Sequence, residues 1–144
     1  MSNYQNYIGG RFVSDSADGR VEVSNPATQA VLGHVPEASA DTVAAAVDAA
    51  RQAQPSWARL PAIQRANALR AISAKVRQHR ERLAALIVAE QGKTQGLAAV
   101  EVDFTADYID YMAEWARRLE GEVLTSDRAG ESIFLLRKPI GVVA

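Results

Sequence analysis

The chain has 144 residues, a length suited to one domain, and 48% of them are hydrophobic, enough for a packed core. Sixteen basic and seventeen acidic side chains leave a net charge of −1, with neither the basic patch of a nucleic-acid binder nor an acidic tail. The absence of cysteine excludes disulfides, thiolate metal sites and a cysteine nucleophile within this chain. The start, MSNYQNYIGG, has no basic cluster followed by an apolar run, and no apolar stretch approaches the ~20 residues of a membrane span. A soluble, cytoplasmic protein is expected, with neither nucleic acid nor membrane among its partners.

Tyr7 to Val13 predicts a short strand with Gly9-Gly10 inside or beside it. Ser14 to Arg20 is polar, and Asp18-Gly19 is a good hairpin turn. Val21 to Val23 resumes the strand pattern, and Asn25-Pro26 is a turn that pushes Asn25 to an extended backbone. Ala30 to Val35 predicts another strand. Ser39 is a fair N-cap for a helix whose buried face is Val43, Val47 and Ala50 and which ends before Pro55. Pro61 suits the first turn of a second helix, striped by Ile63, Ala66, Leu69, Ile72 and Val76. A third runs from about His79 through Leu83, Leu86 and Ile87 to a stop at Gly92.

Next comes the longest amphipathic pattern. With Thr94 as N-cap, Leu97, Val100, Phe104, Tyr108, Met112, Trp115 and Leu119 recur at steps of three and four. They predict one buried face. Glu101, Asp103, Asp107, Asp110 and Glu114 predict a solvated opposite face. Arg117 and Arg118 suit the negative helix end, and Gly121 stops it. Beyond it, Glu122 to Thr125 is a strand and Asp127 to Gly130 a turn. Ile133, Phe134, Leu135 and Leu136 form a strand apolar on both faces, which must be covered on both. Pro139 interrupts any ladder, and Ile140 to Ala144 begins another buried strand. An ending inside an apolar strand suggests a fragment.

Few residues suggest chemistry directly. Gly92-Lys93-Thr94 resembles the end of a phosphate loop, but the required earlier glycine is Ile87, so a helix-linking turn is the better account. No G-x-G-x-x-G follows a strand and no G-x-S-x-G occurs. His34 and His79 lie far apart without a second ligand at metal spacing. The acidic row from Asp103 to Glu114 could pair carboxylates for acid–base work, although a solvated face accounts for it more simply. The basic residues between Arg65 and Arg82 likewise read as a solvated helix face.

The ordered motifs nevertheless carry a resemblance. Glu90-Gln91-Gly92-Lys93, Ala98, Glu101-Val102 and Tyr111-Met112-Ala113-Glu114-Trp115-Ala116 follow Tyr7 to Val13, Asn25-Pro26-Ala27-Thr28, Trp57, Pro61 and Arg65, and precede Arg137 to Val142. Together they look like the N-terminal part of the NAD(P)-dependent aldehyde dehydrogenase superfamily, across essentially the whole chain. The run FTADYIDYMAEWARR is especially similar to bacterial lactaldehyde/glycolaldehyde dehydrogenases.

The resemblance implies an α/β parent fold with a Rossmann-type cofactor domain. In this chain that means N-terminal hairpins and four helices over residues 1–120, oligomerisation-arm strands over 121–139, and the start of a core strand over 140–144. It implies oxidation of a small aldehyde by NAD or NADP: a cysteine thiolate attacks, hydride leaves for the nicotinamide, and a glutamate-activated water releases the acid. None of those catalytic or cofactor-binding parts maps here, so the piece itself is expected to be inactive. What does carry over is Ser24 and Glu90 beside a monovalent cation (Na⁺ or K⁺), Phe104 in the substrate tunnel, and Ile133, Phe134, Leu135 and Leu136 at a homo-oligomer contact. The alternative is a non-catalytic helical module that associates through its apolar β arm.

Overall fold

The computed structural model describes residues 2–13 and 19–143. Five short strands come first: β1 (Ser2–Asn3), β2 (Asn6–Ile8), β3 (Arg11–Val13), β4 (Arg20–Ser24) and β5 (Val31–Pro36). Four helices follow: α1 (Ala40–Arg59), α2 (Ala62–Gln78), α3 (Arg80–Gln91) and α4 (Gln95–Glu114). A 3₁₀ turn over Trp115–Arg117 extends α4, and β6 (Glu122–Thr125) and β7 (Ser132–Leu135) close the described chain. The expected hairpins, four helices and β arm are therefore all present.

The strand details differ from expectation. Gly9-Gly10 is a two-residue turn with φ of 59° and 82°, so Tyr7 to Val13 is a hairpin, β2 against β3, and not one strand. The expected turn at Asp18-Gly19 lies at Asp18 outside the described residues. β4 pairs antiparallel with β5, and β1 adds to β5 in parallel, giving the order β1-β5-β4.

α1 starts as expected, with the Ser39 hydroxyl accepting the Thr42 amide at 3.1 Å. It then runs through Pro55 to Arg59, where an end before Pro55 was expected. Proline removes one backbone donor, and the helix continues because the turns on either side keep theirs. No described residue of α1 is buried, and Val43 and Val47 remain exposed. Among the described residues the β2–β3 hairpin meets α1 beside Thr42, Ala45 and Ala49, which leaves Val43 and Val47 open.

The helical core is a seam of small side chains. Ala66 and Ser73 on α2, Ala84 on α3, and Ala98, Val102, Ala106 and Ala113 on α4 are the fully buried members. Ala84, Ala98 and Val102 form one cluster, with Val76, Leu83, Ile87, Val88 and Ala99 packed around it. Ala98, Val102 and Ala106, four apart on α4, with Ala113 seven positions on, let its backbone approach α2 and α3 closely.

This overturns the expected orientation of α4. Leu97, Val100, Phe104, Tyr108, Met112, Trp115 and Leu119 are all exposed, Phe104 at 68%. Leu97, Val100, Phe104 and Tyr108 point away from α2 and α3, Met112, Trp115 and Leu119 line a cavity beside Ala62, Ala66 and Leu69 of α2, and Asp103, Asp107 and Asp110 of the expected solvated face point toward α2 and α3. The reason is local. Asp103, Asp107 and Asp110 share a face with the alanine seam, and arginines on α2 and α3 meet them there. Helical period alone cannot say which of two good faces packs.

Helix ends and the arm also depart in part. α4 gives way to the 3₁₀ turn at Trp115, short of Gly121. Gly121 serves closeness instead: a Cβ there would lie 2.4 Å from the Leu135 carbonyl oxygen. β6 and β7 form an antiparallel hairpin whose apolar residues are exposed on both faces. No strand forms at 140–143 as expected, and Ile140 is 93% exposed, because no described strand offers a partner for it.

Two outcomes test this arrangement. Ala106→Leu overpacks a closed seam and should cost about 1–3 kcal/mol in urea unfolding, whereas Tyr108→Ser, on the outward face, should cost under about 0.5 kcal/mol. Equal costs would restore the expected orientation. The second concerns acid. Ser73 and Arg77 hold the Asp110 carboxyl below the usual carboxylate range, and Arg80 does the same to Asp103. A depressed folded pKa stabilises above the unfolded value of about 3.9 and is lost as pH falls through the folded value. Thermal unfolding followed by circular dichroism should therefore change little down to about pH 4.5 and fall steeply below about pH 4, with Asp110→Asn flattening the fall.

Candidate functional site

Two of the segments that carry candidate residues meet where the loop after β4 rests on the end of α3. The segment 25–30 is a tight loop. Asn25 Oδ1 accepts the amides of Ala27 at 2.9 Å and Thr28 at 3.1 Å, and the Asn25 amide reaches the Ala30 carbonyl at 2.9 Å. Gln29 takes a left-handed backbone, φ 61°, to close it. Ser24, at the end of β4, sits at a register irregularity just before this loop.

The loop rests on the end of α3. Gly92 caps α3 in the left-handed conformation, φ 68°, and its amide bonds the Val88 carbonyl at 3.0 Å. A Cβ at Gly92 would meet Pro26 Cγ at 3.1 Å. Residue 92 therefore needs glycine twice, for backbone hand and for room. This contact brings the Asn25-Pro26 turn, one residue after Ser24, to the helix end that carries Glu90.

Glu90 lies in the last turn of α3, exposed, on a cavity of about 300 Å³ that it shares with Gln91, Glu101 and Thr105 over a floor that includes Leu83, Ile87 and Val102. Beyond Gly92 the chain turns back, and Lys93 pairs with Glu101 on α4. Oxygen atoms dominate the polar rim: two carboxylates, an amide, a hydroxyl and the last carbonyls of α3, where the helix dipole is negative. Among the described residues no three His, Cys, Asp or Glu side chains cluster as metal ligands. His34 lies half-buried on β5, and His79 joins α2 to α3.

The electrostatic framework lies along α4. Arg77 on α2 bonds Asp110 Oδ2 and Asp107 Oδ1, each at 2.7 Å. The buried Ser73 hydroxyl donates to Asp110 Oδ2 at 2.8 Å and accepts from Arg77. Arg80, in the first turn of α3, grips Asp103 with a fork of 2.8 and 2.9 Å and also reaches Glu81. Both guanidiniums are pushed above their ordinary range, Arg77 chiefly by Asp107 and Arg80 chiefly by Asp103. These acids hold helices together, which leaves no free carboxylate pair for acid–base work along the row from Asp103 to Asp110. Sequence spacing shows the charges but not their partners, which lie 23 to 37 positions away.

Phe104 lies on the opposite, outward face of α4. It stacks on Tyr108 at 6.3 Å between ring centres. Tyr108 contacts Tyr111 at 6.0 Å, and Tyr111 contacts Trp115 at 6.4 Å. The Pro26–Gly92 contact joins the loop after Ser24 to the end of α3, while Phe104 lies on the outward face of α4 and Ile133 to Leu135 lie in the β6–β7 hairpin.

The fit at Gly92 is directly testable. Gly92→Ala should destabilise by about 1–2 kcal/mol, since it meets both a left-handed backbone and Pro26. Gly96→Ala, inside α4 with open space around it, should stabilise by about 0.5–1 kcal/mol. Denaturant midpoints of the two variants must move in opposite directions.

Comparison with known proteins supplies the context for this geometry. Residues 12–144 match the aldehyde dehydrogenase family. Lactaldehyde dehydrogenase of Escherichia coli (strain K12) is 55% identical over 136 residues, which are 94% of this chain and 28% of that protein. The 3,6-anhydro-alpha-L-galactose dehydrogenase of Vibrio sp. (strain EJY3) is 40% identical over 144 residues, 99% of this chain and 30% of that one. A crystal structure of lactaldehyde dehydrogenase from Escherichia coli superposes with a TM-score of 0.89 at 55% identity, covering 92% of this chain and 28% of that chain. The structure of 3,6-anhydro-L-galactose dehydrogenase in complex with NAP gives a TM-score of 0.87 at 36% identity, again over 92% and 28%. The chain thus spans less than a third of the length of these relatives. It belongs to the aldehyde dehydrogenase family and corresponds to the N-terminal part of it.

Proposed function

We propose that these 144 residues are the N-terminal portion of an enzyme that oxidises a small, hydroxyl-bearing aldehyde to its acid with NAD or NADP. One observation carries this: 55% identity to lactaldehyde dehydrogenase of Escherichia coli over 94% of the chain. The relative from Vibrio, named for a hydroxylated sugar aldehyde, supports the same substrate class. Residues 1–120 then belong to the cofactor-binding domain, 121–139 to the oligomerisation arm and 140–144 to the start of a core strand.

On this proposal the chain alone does not turn over. The family's chemistry needs a thiolate to attack the aldehyde, and the chain has no cysteine. NAD or NADP supplies the hydride acceptor when bound. The residues here do not fit it: no glycine-rich strand-to-helix turn is present to receive a pyrophosphate. The chain's own share of the work is positional. α2 and α3 grip the polar side of α4, so that Phe104 stands on a rigid helix facing outward, suited to a wall of the substrate tunnel.

Ser24 and Glu90 suit a monovalent cation. Backbone oxygens from the Ser24 turn, the end carbonyls of α3 and the Glu90 carboxylate are hard ligands with little total charge. The Pro26–Gly92 contact supports this by bringing the two segments together. Their role is to brace the strand layer against α3. Ile133, Phe134, Leu135 and Leu136 suit a contact with a second subunit, since the hairpin presents apolar side chains on both faces and two open edges. That same exposure favours a second reading, a non-catalytic module that associates through this arm.

Purified 144-residue protein, supplied with lactaldehyde or glycolaldehyde and either nicotinamide cofactor, should form no reduced cofactor above the protein-free rate. Turnover proportional to protein concentration would overturn the assignment of catalysis to parts outside these residues.

A further inference from the structure

The basic residues of α2 and α3 divide into two sets by direction. Arg77 and Arg80 face α4 and are neutralised by its aspartates. Lys75, His79 and Arg82, spaced by four and then three positions, face the other way. They rim an open groove of about 410 Å³ across the α2–α3 corner, and its floor includes Ile72, Val76 and Leu83. No carboxylate lines it. Lys75 Nζ spends one donor on Gln78 Oε1 at 2.9 Å and keeps two more. Among the described residues, neither the Arg82 guanidinium nor the His79 ring has a hydrogen-bond or ion-pair partner. Ile72 on the floor is 51% exposed.

The geometry points to a binding groove for an amphiphilic anion, a carboxylate or phosphate head on a short apolar body. Two permanent cations and an imidazole N–H supply charge-assisted donors for the head. The aliphatic floor takes the body, and the volume falls within the ~300–1,000 Å³ of small-molecule sites. Val76 and Leu83 also pack on the Ala84–Ala98–Val102 cluster, but the half-exposed Ile72 does not, and a merely solvated basic face would not place it there. A merely apolar face would not ring itself with cations while excluding acids. The groove shares Val76 and Leu83 with the Glu90 cavity, whereas Ile72, Lys75, His79 and Arg82 line the groove alone.

The test is a nuclear magnetic resonance titration of the 144-residue protein with sodium octanoate, octyl phosphate, octanol and inorganic phosphate. Saturable shifts at the Ala71 and Ile72 methyls, which line the groove and not the Glu90 cavity, are expected with octanoate, octyl phosphate or both, and the tighter one identifies the preferred head group. Octanol and inorganic phosphate, each lacking half of the ligand, should bind at least about tenfold more weakly. Lys75→Glu and Arg82→Glu should each weaken octanoate binding by about tenfold, with helix content by circular dichroism unchanged. Ile72→Glu, which leaves the cations in place, should weaken it as well. Octanol binding as well as octanoate, inorganic phosphate binding as well as octyl phosphate, shifts spread over other apolar faces, or no saturable shift with either amphiphile would each overturn the proposal.

Discussion

The architecture depends on a close approach. α4 can lie against α2 and α3 only because Ala98, Val102, Ala106 and Ala113 present almost no side chain along one line, met by Ala66, Ser73 and Ala84. Dispersion falls off steeply with distance, so such a seam holds by contact over its whole length, without large interlocking groups. Close backbones also bring the flanking charges within reach. Arg77 and Arg80 meet Asp103, Asp107 and Asp110 because the helices are near enough for short, forked bonds. The seam sets the distance and the ion pairs set the rotation of α4 about its axis. Everything on the outward face, Phe104 and its row of aromatic neighbours included, takes its direction from that rotation.

The sequence revealed elements better than faces. Ser39 and Gly92 mark helix boundaries because capping is local chemistry, and Thr94 precedes α4 without a side-chain cap bond. The four helices and the β6–β7 hairpin were legible for the same reason. Pro55 and Gly121 both depart from their usual local effect of ending a helix. Pro55 costs one backbone bond that α1 tolerates, and Gly121 answers to Leu135, fourteen positions away. The orientation of α4 was illegible for a further reason. Large apolar residues on one face and alanines on the other both satisfy helical period, and only the arginines of α2 and α3 decide between them.

The candidate site was legible in part. Glu90, Gly92 and Lys93 stood out as a motif, and the structure explains two of the three in physical terms: Gly92 by its backbone and its contact with Pro26, Lys93 by its pair with Glu101. The proximity of the Asn25-Pro26 turn to that motif could not be read, because nothing local links positions 25 and 92. The resemblance implies Ser24 and Glu90 beside one cation; the contact that the packing shows is the one between Pro26 and Gly92.

Gly121 has a mechanical consequence. The start of β6 crosses the Leu135 carbonyl so closely that no side chain fits between them. Glu122 pairs with Leu135, so the crossing closes the open end of the hairpin itself. The strands are four residues long, about 13 Å of reach at strand rise from this base to the turn at 127–130. A side chain at 121 would push the two strands apart at their base, so the closure of the hairpin rests on the absence of a single methyl group.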